Sequence, residues 1–196
     1  MFDYEVDDNG IAYTYFKGVK GTLNFNDTKT LVEEITKNNP SVYVETGSYL
    51  GCSATIAALH SNAIVYAHDL WVQDFDHLDE SSGPPPEVEN YFKKFYENVK
   101  KNNLQTRIIP IRGDSKFTVE AIHDDESVDF AFIDGDHSEE GIYEDLETIF
   151  PKMKTCGVIL CHDCVEGTET HQGLLKFTKD FESIPGTYGM VKIIKH

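Results

Sequence analysis

The stretch "VDFAFIDGDHSEEG", residues 128–141, sets an apolar run, Val128 to Ile133, directly against Asp134, Gly135, Asp136 and His137. Ionisable groups at the rim of a buried strand cost desolvation free energy unless a ligand, a metal or a helix terminus uses them. "DGD" is a D-x-D pattern, of the kind with which metal-dependent glycosyltransferases hold a sugar-nucleotide diphosphate. A purely structural use also fits. Asp136 and Ser138 are cap-type residues for a helix over 138–150, and Glu139 and Glu140 complement its dipole.

A second group of chemistry-bearing residues lies upstream in "VETGSYLG", where Glu45 precedes Gly47, Ser48 and Gly51. A loop built for a pyrophosphate more often reads G-x-G-x-x-G and receives the phosphates on its backbone amides. An acid directly before the first glycine repels a pyrophosphate and suits a cation. S-adenosylmethionine, with an amino group, a sulfonium and no phosphate, has that chemistry. Gly47 lets backbone approach a ligand and Gly51 lets a helix pack closely; a glycine turn capping a helix is the alternative. Asp69 follows in "AHDL". An acid roughly 20 residues beyond the glycine loop, at the second strand end, is where a ribose hydroxyl pair is held. Asp114 and Ser115 of "RGDS" are candidates to face an adenine edge, although this is also ordinary turn chemistry.

These residues need elements to position them. Residues 1–25 read as an irregular leader and 27–38 as a helix, with Leu31, Val32 and Ile35 on one face, Asp27 as its N-cap and Pro40 beyond its end. Strands follow at 41–47, 63–70, 107–114, 128–134, 157–163 and 190–196, with helices at 52–60, 87–103, 115–123, 138–150 and 169–181. Alternating strands and helices imply βαβ units around a largely parallel sheet, and near-continuous apolar strands fit burial on both faces. Ligands of such sheets bind beyond the carboxyl ends of the strands. Those ends here read "ETG", "HD", "RGD", "DGDH" and "CHD", nearly all acidic.

The segments "VYVETGSYLGCSATIAALH", "AHDLW", "FAFIDGDHSEEGIYEDLE", "GVILCHD" and "GTYGMVKII" together resemble the class I S-adenosylmethionine-dependent methyltransferases, in the small branch whose fourth strand ends in I-D-G-D-H. The resemblance covers about residues 40–195. It implies a Rossmann-like three-layer αβα sandwich with a seven-stranded, mostly parallel sheet whose last strand is antiparallel. It also implies cofactor contacts at Glu45, Gly47 and Asp69. Metal-dependent O-methyltransferases of this type carry an acid at the fourth strand end and an acid pair or acid–amide pair at the fifth. The matching positions are Asp134 and His162–Asp163, with Asp136 a further candidate on the same turn. Oxygen ligands suit Mg²⁺; His162 departs from the pattern and suits Mn²⁺, Fe²⁺ or Zn²⁺ better, or is no ligand. His137 stands where catechol-type relatives use a lysine to take the acceptor's proton, and imidazole can do this near neutrality. Asp134 and His137 are thus the expected catalytic residues and Asp134, Asp136 and Asp163 the expected metal ligands. A non-catalytic cofactor-binding protein is the remaining alternative.

Whole-chain properties narrow the partners. A net charge of −17 argues against nucleic acid and acidic membrane surfaces and accommodates a small-molecule methyl acceptor. No apolar run reaches the ~20 residues of a membrane helix, and the N-terminus lacks a secretory pattern. With 196 residues, the chain is expected to be one cytoplasmic domain, 1–40 a leader and first helix and 41–196 the cofactor-binding core. Homo-oligomerisation is left open. Cys52, Cys156, Cys161 and Cys164 are expected to be reduced; "CHDC" offers too few ligands for structural zinc, so Cys161 is expected in the core. Residues 71–86, with Trp71 and a proline run, are expected to form a lid.

Overall fold

The structure, a computed structural model, describes residues 3–6, 12–71 and 91–196. The described residues of the expected irregular leader are instead largely paired. β1 (Asp3–Val6), β2 (Ala12–Phe16) and β3 (Val19–Gly21) form an antiparallel three-stranded sheet in that order. Lys17 and Gly18 turn the second hairpin with φ of 53° and 74°, the pair of positive angles whose twist matches the flanking strands. Lys-Gly advertises such a turn less strongly than Asn-Gly, so the short strands escaped the sequence reading.

Helix α1 (Phe25–Asn38) buries Leu31 and Ile35, as its periodicity predicted. Its N-cap is Asn24, whose side chain accepts from the amides of Asn26 and Asp27. The expected cap, Asp27, lies inside the first turn and is fully buried.

The main sheet comprises β4 (Val42–Thr46), β5 (Ile64–Asp69), β6 (Ile108–Arg112), β7 (Val128–Ile133), β8 (Met153–Cys161), β9 (Glu182–Ser183) and β10 (Val191–Ile194). Their order is β6-β5-β4-β7-β8-β10-β9. The first five are parallel; β10 runs antiparallel to β8 and to β9. The helices are α2 (Cys52–His60), α3 (Tyr91–Lys101), α4 (Ser115–Ile122), α5 (Glu139–Lys152) and α6 (Glu169–Phe177). This is the expected Rossmann-like sandwich. Tyr43, Phe130 and Leu160 pack on the α1–α3 side with Leu31, Ile56 and Phe95, and Phe16 and Val19 of the small sheet join that cluster. Val44, Ala131 and Ile159 pack on the other side with Ile142, Leu146 and Leu174. Burial on both faces is why these strands read as apolar runs rather than alternations. Pro110 lies in β6, an edge strand of the sheet, where a missing amide costs least.

Register aligns the strand ends. Thr46 pairs with Ile133, and Ile133 with Cys161. The ladder continues one residue further, through Asp134 N to Thr46 O (3.0 Å) and His162 N to Ile133 O (3.0 Å). Gly47, Asp134 and His162 therefore stand side by side at one edge. Crossovers leave β4 toward β5 on one side while β7 lies on its other side, so this edge is the topological switch point where such sheets bind ligands.

Of the expected lid, only Trp71 lies within the described residues. No described helix is long and apolar enough to cross a membrane. The four cysteines are unpaired, and Cys161 is buried in the core.

Candidate functional site

Two groups of side chains meet at the switch point. The first surrounds the glycine loop. Glu45 is fully buried near the end of β4; its Oε2 accepts from the Tyr43 hydroxyl at 3.3 Å, whereas its Oε1 has no hydrogen-bond partner among the described residues. The nearby Ser48 Oγ is likewise buried without a partner. Burial pushes the Glu45 carboxyl up to about 7; the Tyr43 hydroxyl offsets part of the rise, and the charge of Asp134 adds to it. Polar atoms buried this way are costly unless something meets them. Gly47 has φ +82°, and a Cβ there would lie 2.0 Å from the Asp134 carbonyl oxygen. Its lack of a side chain thus serves the approach of β4's loop to β7's end. Gly51, at φ +85°, caps α2 against the ring of Phe95.

Asp69 ties this loop to β5. Its Oδ2 accepts from Tyr49 N at 2.8 Å and its Oδ1 from Trp71 N at 2.5 Å. A small cleft lies alongside, lined among others by Lys20, Leu23, Gly47, Ser48, Ser53 and Asp134. The wall from Lys20 to Leu23 comes from β3 and its exit, residues to which the sequence reading gave no role.

At the end of β6, Asp114 caps α4 by accepting from Lys116 N at 3.1 Å. The Ser115 hydroxyl donates to Asp145 Oδ1 at 2.5 Å, and Thr46 donates to the other oxygen of that buried carboxylate at 2.8 Å. Desolvation raises the Asp145 carboxyl to about 6, opposed by those hydroxyl bonds. Asp114 and Ser115 thus have structural partners of their own.

The second group is acidic and imidazole-bearing. His162 Nδ1 lies 3.2 Å from Asp134 Oδ1 and 3.0 Å from Asp163 Oδ2. One ligand atom from each of these three residues falls within 4.8 Å of the others. His137, more than half exposed, covers the group with Nε2 3.6 Å from Asp134 Oδ1 and 3.3 Å from Asp163 Oδ2. Burial pulls the His162 imidazole down, but Asp134, Asp163 and Asp27 outweigh it and push it up to about 12. Burial would raise the Asp134 carboxyl; the two histidines overcome this and hold it below the usual range. The Asp134 carboxylate, as acceptor for the His137 ring, raises His137 against a smaller desolvation effect. Asp163 reaches the group from a left-handed backbone, φ 56°, a conformation that Asp tolerates better than most residues.

Asp136 does not join the group. Its Oδ1 accepts from Ser138 N at 2.9 Å, while Ser138 Oγ caps α5 by accepting from Gly141 N at 3.0 Å. This is the helix-capping use expected for the pair, and it leaves "DGD" with one acid on each side of a turn rather than a paired chelate. The residue that sequence reasoning missed is Asp27, whose Oδ2 lies 3.0 Å from His162 Nε2. An acid within a helical first turn carries no signal of a partner so distant in the chain.

A doubly wound sheet with an acid-lined crevice at its switch point has the architecture of α/β folds that bind ligands beyond their strand ends. A family model described as a methyltransferase domain matches residues 44–164. The chain belongs to that family and is an S-adenosylmethionine-dependent methyltransferase of the class I architecture. No curated protein matches it in sequence. Solved structures similar in fold include an O-methyltransferase from Bacillus cereus in complex with S-adenosylhomocysteine, at 16% identity and TM-score 0.65, covering 88% of this chain and 82% of that one. An S-adenosylhomocysteine-bound methyltransferase from Podospora anserina is 17% identical with TM-score 0.62, covering 86% and 76%. A methyltransferase from Geobacter sulfurreducens is 14% identical with TM-score 0.64, covering 88% and 79%.

Proposed function

We propose that this enzyme methylates a hydroxyl oxygen of a small molecule, with a divalent metal held by Asp134, His162 and Asp163. The observation that carries this reading is the convergence of those three side chains beside a glycine loop whose Glu45 and Ser48 keep buried oxygens unpartnered among the described residues. Three observations support the fit of a metal. The donor set is oxygen and imidazole; His162 Nδ1 is buried without a hydrogen-bond partner among the described residues; and it lies 3.0–3.2 Å from the two carboxylates, close enough for the three side chains to hold one ion. When bound, such an ion orients the acceptor oxygen and lowers its hydroxyl pKa.

The chain's own residues supply the rest. Glu45 pairs with the amino group of S-adenosylmethionine and Asp69 accepts from its ribose hydroxyls. Gly47, Ser48 and Gly51 form the loop that holds its methionine end, and Asp114 and Ser115 border its adenine. His137, exposed at the mouth, takes the hydroxyl proton as oxygen attacks the methyl carbon and the carbon–sulfur bond breaks, releasing S-adenosylhomocysteine. Alignment of oxygen, carbon and sulfur is the main protein contribution to such a displacement.

The test is S-adenosylhomocysteine release over a panel of hydroxylated small molecules, with and without exhaustive chelation. Hydroxyl-dependent release that chelation suppresses and Asp163→Ala mimics is expected, with S-adenosylhomocysteine binding by the chelated protein intact. His137→Gln should lose roughly 10²–10⁴-fold in kcat while binding cofactor normally. Transfer to nitrogen or carbon, or full turnover after chelation, would overturn the oxygen-directed and metal-assisted parts respectively. A glycosyl-transfer reading of "DGD" is disfavoured by the separation of Asp136 from Asp134's cluster.

A further inference from the structure

The function just proposed leaves Asp27 unused, although three polar groups meet its buried carboxylate. It sits in the first turn of α1, fully buried. Oδ1 accepts from the backbone amide of Tyr188 at 2.8 Å, and Oδ2 accepts from Asn24 Nδ2 at 2.5 Å and lies 3.0 Å from His162 Nε2. A carboxylate only accepts, so His162 Nε2 must carry the hydrogen of that contact. The opposite nitrogen, Nδ1, then faces Asp134 and Asp163. Neither carboxylate oxygen is placed to receive a proper hydrogen bond from it, although both lie close. A carboxylate behind one ring nitrogen and two oxygen donors in front of the other is how metal-binding histidines are oriented: the outer contact sets the tautomer and strengthens the inner nitrogen as a ligand.

We propose that Asp27 is a positioning residue that holds His162 with Nδ1 toward Asp134 and Asp163, making a mixed nitrogen–oxygen centre that takes Mn²⁺, Co²⁺ or a similar transition ion in preference to Mg²⁺. This rests on the metal reading above and narrows it. Two carboxylates alone suit hard cations such as Mg²⁺. An imidazole ligand tilts affinity along the first-row series toward later metals. The inference also gives the N-terminal region a function, since the ring is fixed from α1.

The experiment is calorimetric titration of the metal-free protein with MnCl₂, CoCl₂ and MgCl₂, for wild type, Asp27→Asn and His162→Asn. Wild type should bind Mn²⁺ at least tenfold more tightly than Mg²⁺. Asp27→Asn replaces one acceptor oxygen with a donor and should weaken Mn²⁺ binding by about 10–100-fold, narrowing the Mn²⁺/Mg²⁺ ratio; His162→Asn should abolish the preference. A purely structural Asp27 predicts a lower Tm in Asp27→Asn with the ratio unchanged, and that result overturns the proposal. Should that variant fail to fold, the wild type decides. In ¹⁵N-histidine-labelled protein loaded with Zn²⁺, His162 must show a metal-bound Nδ1 and a protonated Nε2; any other state overturns the proposal. Wild type that binds no divalent ion removes the metal reading itself. Wild type that binds Mg²⁺ and Mn²⁺ equally removes only the preference and the role of Asp27.

Discussion

Glu45 is a carboxyl that burial holds at about 7, far above the ~4.3 of an exposed glutamate. In the free enzyme near neutrality it is partly protonated, and pairing with a cofactor ammonium requires the ionised form. S-adenosylhomocysteine affinity should therefore rise about tenfold between about pH 6 and pH 8 and then level off, with a proton released on binding. Glu45→Gln should bind weakly with no pH slope in this window, as titrations in buffers of different ionisation enthalpy would show. For stability the sign is set by the raised folded value. The fold is favoured while Glu45 is neutral, below its unfolded pKa, and that contribution is lost as pH rises through about 7. Above neutrality Glu45→Gln should accordingly melt higher than wild type while binding cofactor less well. A variant that loses stability as well as binding would mean that Glu45 is a structural group.

Among the elements, α5 carries the turn after Asp134 and is braced by α6. Gly173 makes the closest point of that contact: a Cβ there would lie 2.2 Å from Glu139 O and 2.2 Å from Ile142 Cγ2. Helix propensity alone favours Gly173→Ala by roughly 0.8–1 kcal/mol. Steric overlap must push the helices apart and loosen the packing of Ile142, Leu146 and Leu174, a cost of about 1–3 kcal/mol for overpacking. The clash should win, with Tm falling by several degrees, given about 2–4 °C per kcal/mol at this size. A rise in Tm, measured by calorimetry, would show that the α5–α6 contact relaxes freely. The same element logic explains the legible part of the candidate site. β4, β7 and β8 are in register at Thr46, Ile133 and Cys161, so acids placed just beyond strand ends in the sequence become neighbours in space.

At the scale of the whole molecule, the net charge is −17. Such an excess repels itself in the compact state. Several of the described ion pairs, such as Lys29–Glu33 and Lys93–Glu97, are exposed and contribute little. Raising NaCl from about 0.02 to 0.2 M shortens the screening length from roughly 20 to 7 Å and should raise Tm at fixed pH. A protein held chiefly by surface pairs would show a lower Tm instead, and that outcome would refute the self-repulsion account.

What the sequence determined by itself was local. Apolar runs such as Val128–Ile133 became strands buried on two faces, and Gly47 and Gly51 marked a close-packed turn into a helix. Ser138, with Asp136, marked a helix start. Each follows from properties of a few consecutive residues, and the parallel sheet follows from their alternation. The antiparallel β10 was legible only through family resemblance, because four residues carry no mark of direction. Tertiary structure decided what depends on distant partners. It showed that Asp163 meets Asp134 across two strand ends while Asp136, two residues from Asp134, accepts from the amide of Ser138, the N-cap of α5. It paired Asp3–Val6 with Ala12–Phe16 in a region that lacked a strong turn signal. It also brought Asp27 to His162, 135 positions apart. A buried charge in a helix's first turn looks in sequence like a cap. Only packing α1 against the end of β8 removes its water and leaves His162 beside it as a hydrogen-bonding partner.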